Sequence, residues 1–262
     1  MAFLALRRWF LPLLLALLTG CAGLPQGVER VPSSAIDDVA ATRLAEVALA
    51  SLGEQEEGAA RSGLRLLPAG DQALEARLAI VRLAQRSVDA QYYQIADDAS
   101  GRQFLRELRD AGARGVRVRL LVDDLYAGEE EALLAGLAAQ PGVEVRLFNP
   151  LPARDGSVAR RTLMSLHEFA RVNRRMHNKL LVADNAFAIS GGRNIADAYF
   201  ERSEPANFID MDVLSAGPVV ASMSAVFDQY WNSERAYPVQ NLAAQDEQGE
   251  PARRSFDARV QK

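Results

Sequence analysis

From residue 63 onward, short apolar blocks with a period of two alternate with longer stretches of helical period. Leu64 to Leu67 predicts a short strand. Leu74, Leu78, Val81 and Leu83 recur at helical spacing, and Asp71 stands at a capping position, so a helix is predicted from Asp71 to Gln85. Val88 to Ile95 alternates like a strand, and Asp97 to Gly101 is turn chemistry. Phe104 to Ala113 is amphipathic and ends near Gly115, Val116 to Val122 is a strand, and Glu129 to Ala139 is a helix stopped at Pro141-Gly142. Val143 to Phe148 is the next strand. This strand–helix alternation predicts a largely parallel sheet covered by helices.

The rhythm breaks over residues 151 to 175, which carry Arg154, Arg160, Arg161, Arg171, Arg174 and Arg175 against Asp155 and Glu168. Two short strands follow, Leu180 to Ala183 and Ala186 to Ser190, joined through Asp184-Asn185 in hairpin-turn chemistry. Phe208 to Ser215 predicts a further strand and Pro218 to Asn232 a helix, where Tyr230 and Trp231 fit helix packing. Residues 240 to 262 read as a polar tail or linker.

The start of the chain has a different pattern. Arg7 and Arg8 precede the apolar run Leu11 to Leu18, which is too short to span a bilayer comfortably. The run ends in Leu-Thr-Gly-Cys, with the chain's one cysteine, Cys21, at the expected cleavage point. Residues 1–20 are therefore expected to be a lipoprotein signal peptide. Acylation of Cys21 would give a stable lipid anchor. Ala22 after the cysteine implies the periplasmic face of the outer membrane. Residues 21–62, rich in Ala, Gly, Glu and Ser, are expected to be a tether with a short helix between Asp37 and Leu52. The main domain is expected at 63–239.

Composition narrows the chemistry. The 262 residues are 49% hydrophobic and 24% charged, which excludes collagen-like, disordered and multi-span membrane classes. Of 30 basic residues, all but Lys179 and Lys262 are arginine, and the only histidines are His167 and His177. The net charge is −4, and removal of Arg7 and Arg8 with the signal makes it more negative, so bulk charge gives no support to nucleic-acid binding.

One constellation concentrates the scarce residues. His177, Lys179 and Asp184 are followed, six residues on, by Gly191-Gly192-Arg193-Asn194. On a strand His177 and Lys179 point to the same face. A neutral imidazole is a competent nucleophile near pH 7. Lys179 would place a positive charge beside phosphate oxygens that gain charge in the transition state. Gly191 and Gly192 would let backbone N–H groups approach a phosphate, and Asn194 adds an amide donor. Arg193 and Tyr93 are candidates to face the same site. Asp123-Asp124 follow a strand's carboxyl end, where α/β sites gather, but also suit a turn cap.

These residues match the pattern HxKx4Dx6G(G/S)xN, and the chain here resembles the phospholipase D superfamily. The segments 112–124, 173–200, 208–218 and 230–238 are similar to its bacterial cardiolipin synthase C branch, so the likeness covers roughly residues 64 to 240. The resemblance implies an α/β fold, a mixed sheet flanked by helices on both faces. It implies that His177 attacks a phosphodiester to form a phosphohistidine, with Lys179 and Asn194 on the nonbridging oxygens. Asp210 would orient the imidazole, with Asp212 as the fallback, and Asp184 would be mainly structural. No metal or cofactor is implied.

The implied activity is phosphatidyl transfer, with phosphatidylglycerol as donor and acceptor and phosphatidylethanolamine as co-substrate. Members of this family normally carry two such motifs, and this chain holds one. His167, in SLHEF, lacks a following lysine and reads as a helix histidine. The second motif must come from another copy, from an unseen second half, or from nowhere. Two other readings stay open, a dimeric endonuclease and a non-catalytic half that only binds phosphate headgroups.

Overall fold

A computed structural model describes residues 23–53, 61–128, 130–154, 156–244 and 248–261. Residues 1–20, Cys21 and Asp155 lie outside the described residues. The order of elements is α1 (Arg43–Leu52), β1 (Gly63–Leu67), α2 (Gly70–Leu83), β2 (Ser87–Tyr92), α3 (Ala99–Ala113), β3 (Arg117–Asp123), α4 (Asp124–Ala127), α5 (Glu131–Ala138), β4 (Val143–Phe148), α6 (Val158–Met164), α7 (Phe169–Val172), β5 (Leu180–Ala183), β6 (Phe187–Gly191), β7 (Asp212–Ala216), α8 (Pro218–Trp231), β8 (Ala236–Pro238) and α9 (Gly249–Val260).

Eight strands form one sheet in the order β1-β7-β6-β5-β2-β3-β4-β8. Only β2, β3 and β4 run parallel to one another. The hairpin of β5 and β6 and the returns of β7, β1 and β8 are antiparallel. The sheet is therefore mixed, and the largely parallel arrangement suggested by the strand–helix rhythm holds only for the three adjacent strands β2, β3 and β4. Turn chemistry announced the β5–β6 hairpin, but the rhythm could not show that β1, β7 and β8 pair antiparallel at the flanks.

Strand alternation sorts the two faces. Val88, Ala90 and Tyr92 of β2 and Val118, Leu120 and Val122 of β3 join the larger core, with Leu74 and Leu78 of α2, Phe104 and Leu108 of α3, Leu133 and Leu137 of α5, and Phe256 of α9. The opposite face meets α8 through Val220, Phe227 and Trp231, packed with Leu121, Phe148 and Val182. This second face also buries charge. Arg119 donates to Asp89 (2.7 Å) and Asp228 (2.8 Å) and lies 4.8 Å from the Phe227 ring centre. Arg146 lies 4.2 Å from the Trp231 ring centre. Both guanidiniums are thus paired or stacked, as buried charges must be.

Two segments differ from their sequence reading. The expected polar tail carries α9, and its Phe256 and Val260 enter the core. Its apolar residues are too sparse to stand out against the charged ones between them. The expected tether is partly strapped to the domain, because Ala35 N donates to Asp228 (2.8 Å), Arg146 donates to the Val31 carbonyl (2.7 Å) and Arg30 to that of Ala236 (3.0 Å). The bonds run through backbone groups, which leave no mark in composition. Among the described residues no helix is long and apolar enough to cross a membrane.

Asp184 shows what the motif carboxylate does. It is fully buried after β5, at φ 50°, in the left-handed region that Asp and Asn tolerate. Its oxygens accept from the backbone N–H groups of Gln85 (3.0 Å), Arg86 (2.7 Å) and Ser87 (3.0 Å), fastening the β5–β6 turn to the start of β2. Asp184→Ala strands three buried or half-buried donors and is expected to cost about 3 kcal/mol in a urea unfolding curve. A loss under about 1 kcal/mol would show the bonds to be dispensable.

Candidate active site

The site lies where β2 and β3 end and β5 begins, since β5 runs antiparallel to β2. Carboxyl ends of parallel strands are where α/β sheets open a crevice. His177 precedes β5 with its imidazole exposed, and Lys179 is 5% exposed beside it. Tyr93, the residue after β2, packs against both. Its ring centre is 4.8 Å from that of His177 and 5.2 Å from Lys179 Nζ. Tyr126 of α4 backs it edge-on at 5.4 Å. Tyr93 therefore reaches the site as expected, while Tyr92 is core, its hydroxyl accepting from Arg77 Nε (3.1 Å).

Lys179 Nζ donates to the His177 carbonyl (2.8 Å), which ties the two motif residues through the backbone. Burial lowers the lysine's pKa, opposed by the charges of Asp210 and Asp123. The His177 pKa is also lowered, by burial of part of the ring and then by the Lys179 charge. Both effects favour a neutral imidazole near pH 7, the form with a free lone pair. Burial also raises Tyr93 to about 12, so it stays a neutral phenol.

Asn194 is buried between two residues that sequence reasoning did not single out. Its Oδ1 accepts from Gln94 N (3.3 Å) and its Nδ2 donates to the Tyr199 hydroxyl (2.9 Å). These contacts link residues about one hundred positions apart or sit in a short 3-10 turn, and no local pattern announces them.

The glycine pair works differently from its expectation. Gly191 N donates to the Lys179 carbonyl (3.4 Å) and Gly192 N to that of Met211 (3.2 Å), so both N–H groups are committed to neighbouring backbone. What the glycines provide is close approach. A Cβ on Gly191 would stand 2.2 Å from Asp212 Oδ1, and one on Gly192 would stand 2.0 Å from Asp210 Oδ1.

Other expected site residues are placed elsewhere. Arg193 is buried and turned from the site, donating to the carbonyls of Leu67 (3.0 Å), Pro68 (2.6 Å) and Tyr199 (3.1 Å) and pairing with Asp212 (3.2 Å). Asp212 is fully buried between Arg193 and Arg77, which excludes the fallback role. Asp184 is at the far end of β5. Asp210 accepts from its own neighbour, Met211 N (2.8 Å), and its charge reaches Lys179; the orienting bond to His177 is not made in this structure. His167 is exposed in a 3-10 turn, with Nδ1 3.2 Å from the Met164 carbonyl.

The arginine-rich stretch is mostly internal stapling. Asp124 takes Arg154 and Arg161 (2.6 Å each), Arg171 pairs with Glu168, and Arg175 lies 3.2 Å from Asp123. The paired carboxylates at the end of β3 thus hold the loop as well as the turn.

Comparison with known proteins agrees with this architecture. Residues 78–231 match the family described as "Cardiolipin synthase, PLD-like domain". The chain is 41% identical over 180 residues to cardiolipin synthase C of Escherichia coli (strain K12), covering 69% of this chain and 37% of that protein. It is 32% identical over 173 residues to cardiolipin synthase A of Pseudomonas fluorescens, covering 66% and 34%. It spans roughly a third of the length of these curated relatives. The crystal structure of phosphatidylserine synthase from Haemophilus influenzae shares the fold, with a TM-score of 0.51 at 14% identity over 83% of this chain and 47% of that one. With a mixed sheet that brings the HxK histidine and lysine together at its open end, and a family match across most of that sheet, the chain belongs to the phospholipase D-like family of cardiolipin synthases.

Proposed function

We propose that this chain supplies one half of a phosphatidyltransferase site. The observation that carries the reading is the pairing of a neutral-leaning, exposed imidazole with a buried lysine, both packed against the Tyr93 ring. A His177 ring nitrogen attacks the phosphorus of a phospholipid. A phosphorus–nitrogen bond forms, the phosphorus–oxygen bond to the headgroup alcohol breaks, and Lys179 offsets the charge on the nonbridging oxygens. Asn194 contributes through its amide. A second alcohol then attacks the phosphorus and releases the imidazole. Phosphatidylglycerol as donor and acceptor would yield cardiolipin.

Both half-reactions need an acid that protonates the leaving alcohol and a base that takes the acceptor's proton. His167 is not placed among the site residues, so that group is proposed to come from a second copy of the chain or from the remainder of a longer protein. The negative charge of the chain lends no support to nucleic acid as substrate. Acylation of Cys21 would hold the site at the periplasmic face of the outer membrane.

The experiment is an acid-free quench during turnover of labelled phosphatidylglycerol, with mass spectrometry of the protein and chromatography of the lipid. The expected result is an acid-labile adduct on His177 and labelled cardiolipin. Label on another residue would overturn the covalent step. DNA cleavage without lipid turnover would favour the nuclease reading. Lipid binding without an adduct would favour a non-catalytic half.

A further inference from the structure

The catalytic imidazole is exposed, yet it has a defined neighbour in Tyr93, and two separate lines of contact lead from that pair to one buried carboxylate. Asp123, at the end of β3, is 0% exposed. Its Oδ1 accepts from Leu125 N (2.9 Å), capping α4, the helix that carries Tyr126 against Tyr93. Its Oδ2 accepts from Met176 N (2.8 Å), the residue before His177. The first line fixes the wall behind the imidazole, and the second fixes the backbone that presents it.

Arg175 completes the arrangement. Its Nη1 is 3.2 Å from Asp123 and its Nη2 donates to the Asn149 carbonyl. Asn149, buried at φ 51°, donates in turn to the carbonyls of Arg171 (2.8 Å) and Arg174 (2.7 Å). Residues 171 to 176 are therefore held at four points immediately before the nucleophile. Resting on the reading of His177 as the reacting group, we propose that Asp123 and Arg175 are a positioning pair that holds the His177 imidazole against Tyr93. Neither touches the imidazole directly.

The arrangement also predicts a pH response. The charged and titratable groups around Asp123 are Arg175, Asp124, Tyr93 and Lys179. Burial outweighs the opposing Arg175 charge and the two N–H bonds and raises the Asp123 carboxyl to about 6. As the pH falls through that value, the carboxyl takes up a proton and its pull on Arg175 is lost.

The test is nuclear magnetic resonance of the full chain, which has only two imidazoles to assign. His167→Gln identifies the second. The parent is expected to show a cross-relaxation contact between the His177 and Tyr93 rings that weakens below about pH 6, with the His177 titration midpoint below the ordinary histidine value. In Asp123→Asn the contact should be lost at every pH and the midpoint should rise toward that of a solvated histidine. An unchanged contact and midpoint in a folded Asp123→Asn protein would overturn the proposal. If that variant does not fold, Arg175→Met and Arg175→Lys decide the matter. Loss of the contact in Arg175→Met with retention in Arg175→Lys supports the pair, and retention in both overturns it. In a turnover assay the positioning role predicts a kcat lowered about 100-fold with little change in KM, the cost of a nucleophile misplaced by about 1 Å. The ring contact is read without turnover, so failure of the transfer reading would leave this result interpretable.

Discussion

Turnover of phosphatidylglycerol is expected to fall by a factor on the order of 10⁴ or more in His177→Ala, whichever second half completes the site. The reaction as proposed has no route around the covalent step, so loss of the nucleophile should affect kcat and leave lipid binding in place. Stability should stay within about 0.5 kcal/mol, because the imidazole is exposed and its removal strands no buried partner. Lys179→Ala should lose less, about 10²–10³-fold, since it removes charge stabilisation and leaves the bond-forming atom. Parallel thermal melts and labelled-lipid assays would check both. Undiminished turnover in His177→Ala would remove the mechanism.

The largest stability effect is expected at Asp212. This carboxylate is fully buried in β7, with Arg77 at 3.0 Å and Arg193 at 3.2 Å. Arg77 also donates to Tyr92 and to the Ala73 carbonyl (2.8 Å), and Arg193 to three carbonyls. Asp212→Ala would leave two buried guanidiniums with neutral partners only. Breaking a buried pair from one side costs about 3–5 kcal/mol, because the remaining charge keeps its desolvation penalty. Asp212 also lies against Gly191, so the loss should spread to the site. Equilibrium urea unfolding measures the first effect. A change under about 1 kcal/mol would show that the carbonyls alone satisfy both arginines. Asp212→Asn should cost less, since its amide oxygen still accepts.

How legible the site was varied with the kind of contact. Tyr93 is a candidate from the strand predicted over Val88 to Ile95, and the pairing of β2 with β5 is what brings it beside His177. Arg193 was misread because spacing places it inside the glycine motif, yet the chain turns there and sends the guanidinium to the carbonyls after β1. The glycines were assigned to phosphate contact, while their N–H groups are spent on strand pairing. Asp123 looked like a turn cap and is one, but only the fold brings Met176 to its other oxygen.

By itself the sequence determined the strands β1 to β4 and the helices α2, α3 and α5 between them, the hairpin at Asp184-Asn185 and the motif that concentrates one of two histidines and one of two lysines. These follow from local periodicity, turn chemistry and residue type, which are properties of neighbouring positions. Only the tertiary structure decided the antiparallel pairing of β5 with β2 and of β1, β7 and β8 with their neighbours, the folding of the C-terminal helix onto α5, and which charged residues serve the core and which the site. Those outcomes depend on where buried guanidiniums, carboxylates and backbone N–H groups find partners. A partner one hundred residues away satisfies a buried group as fully as one nearby and leaves no trace in local pattern.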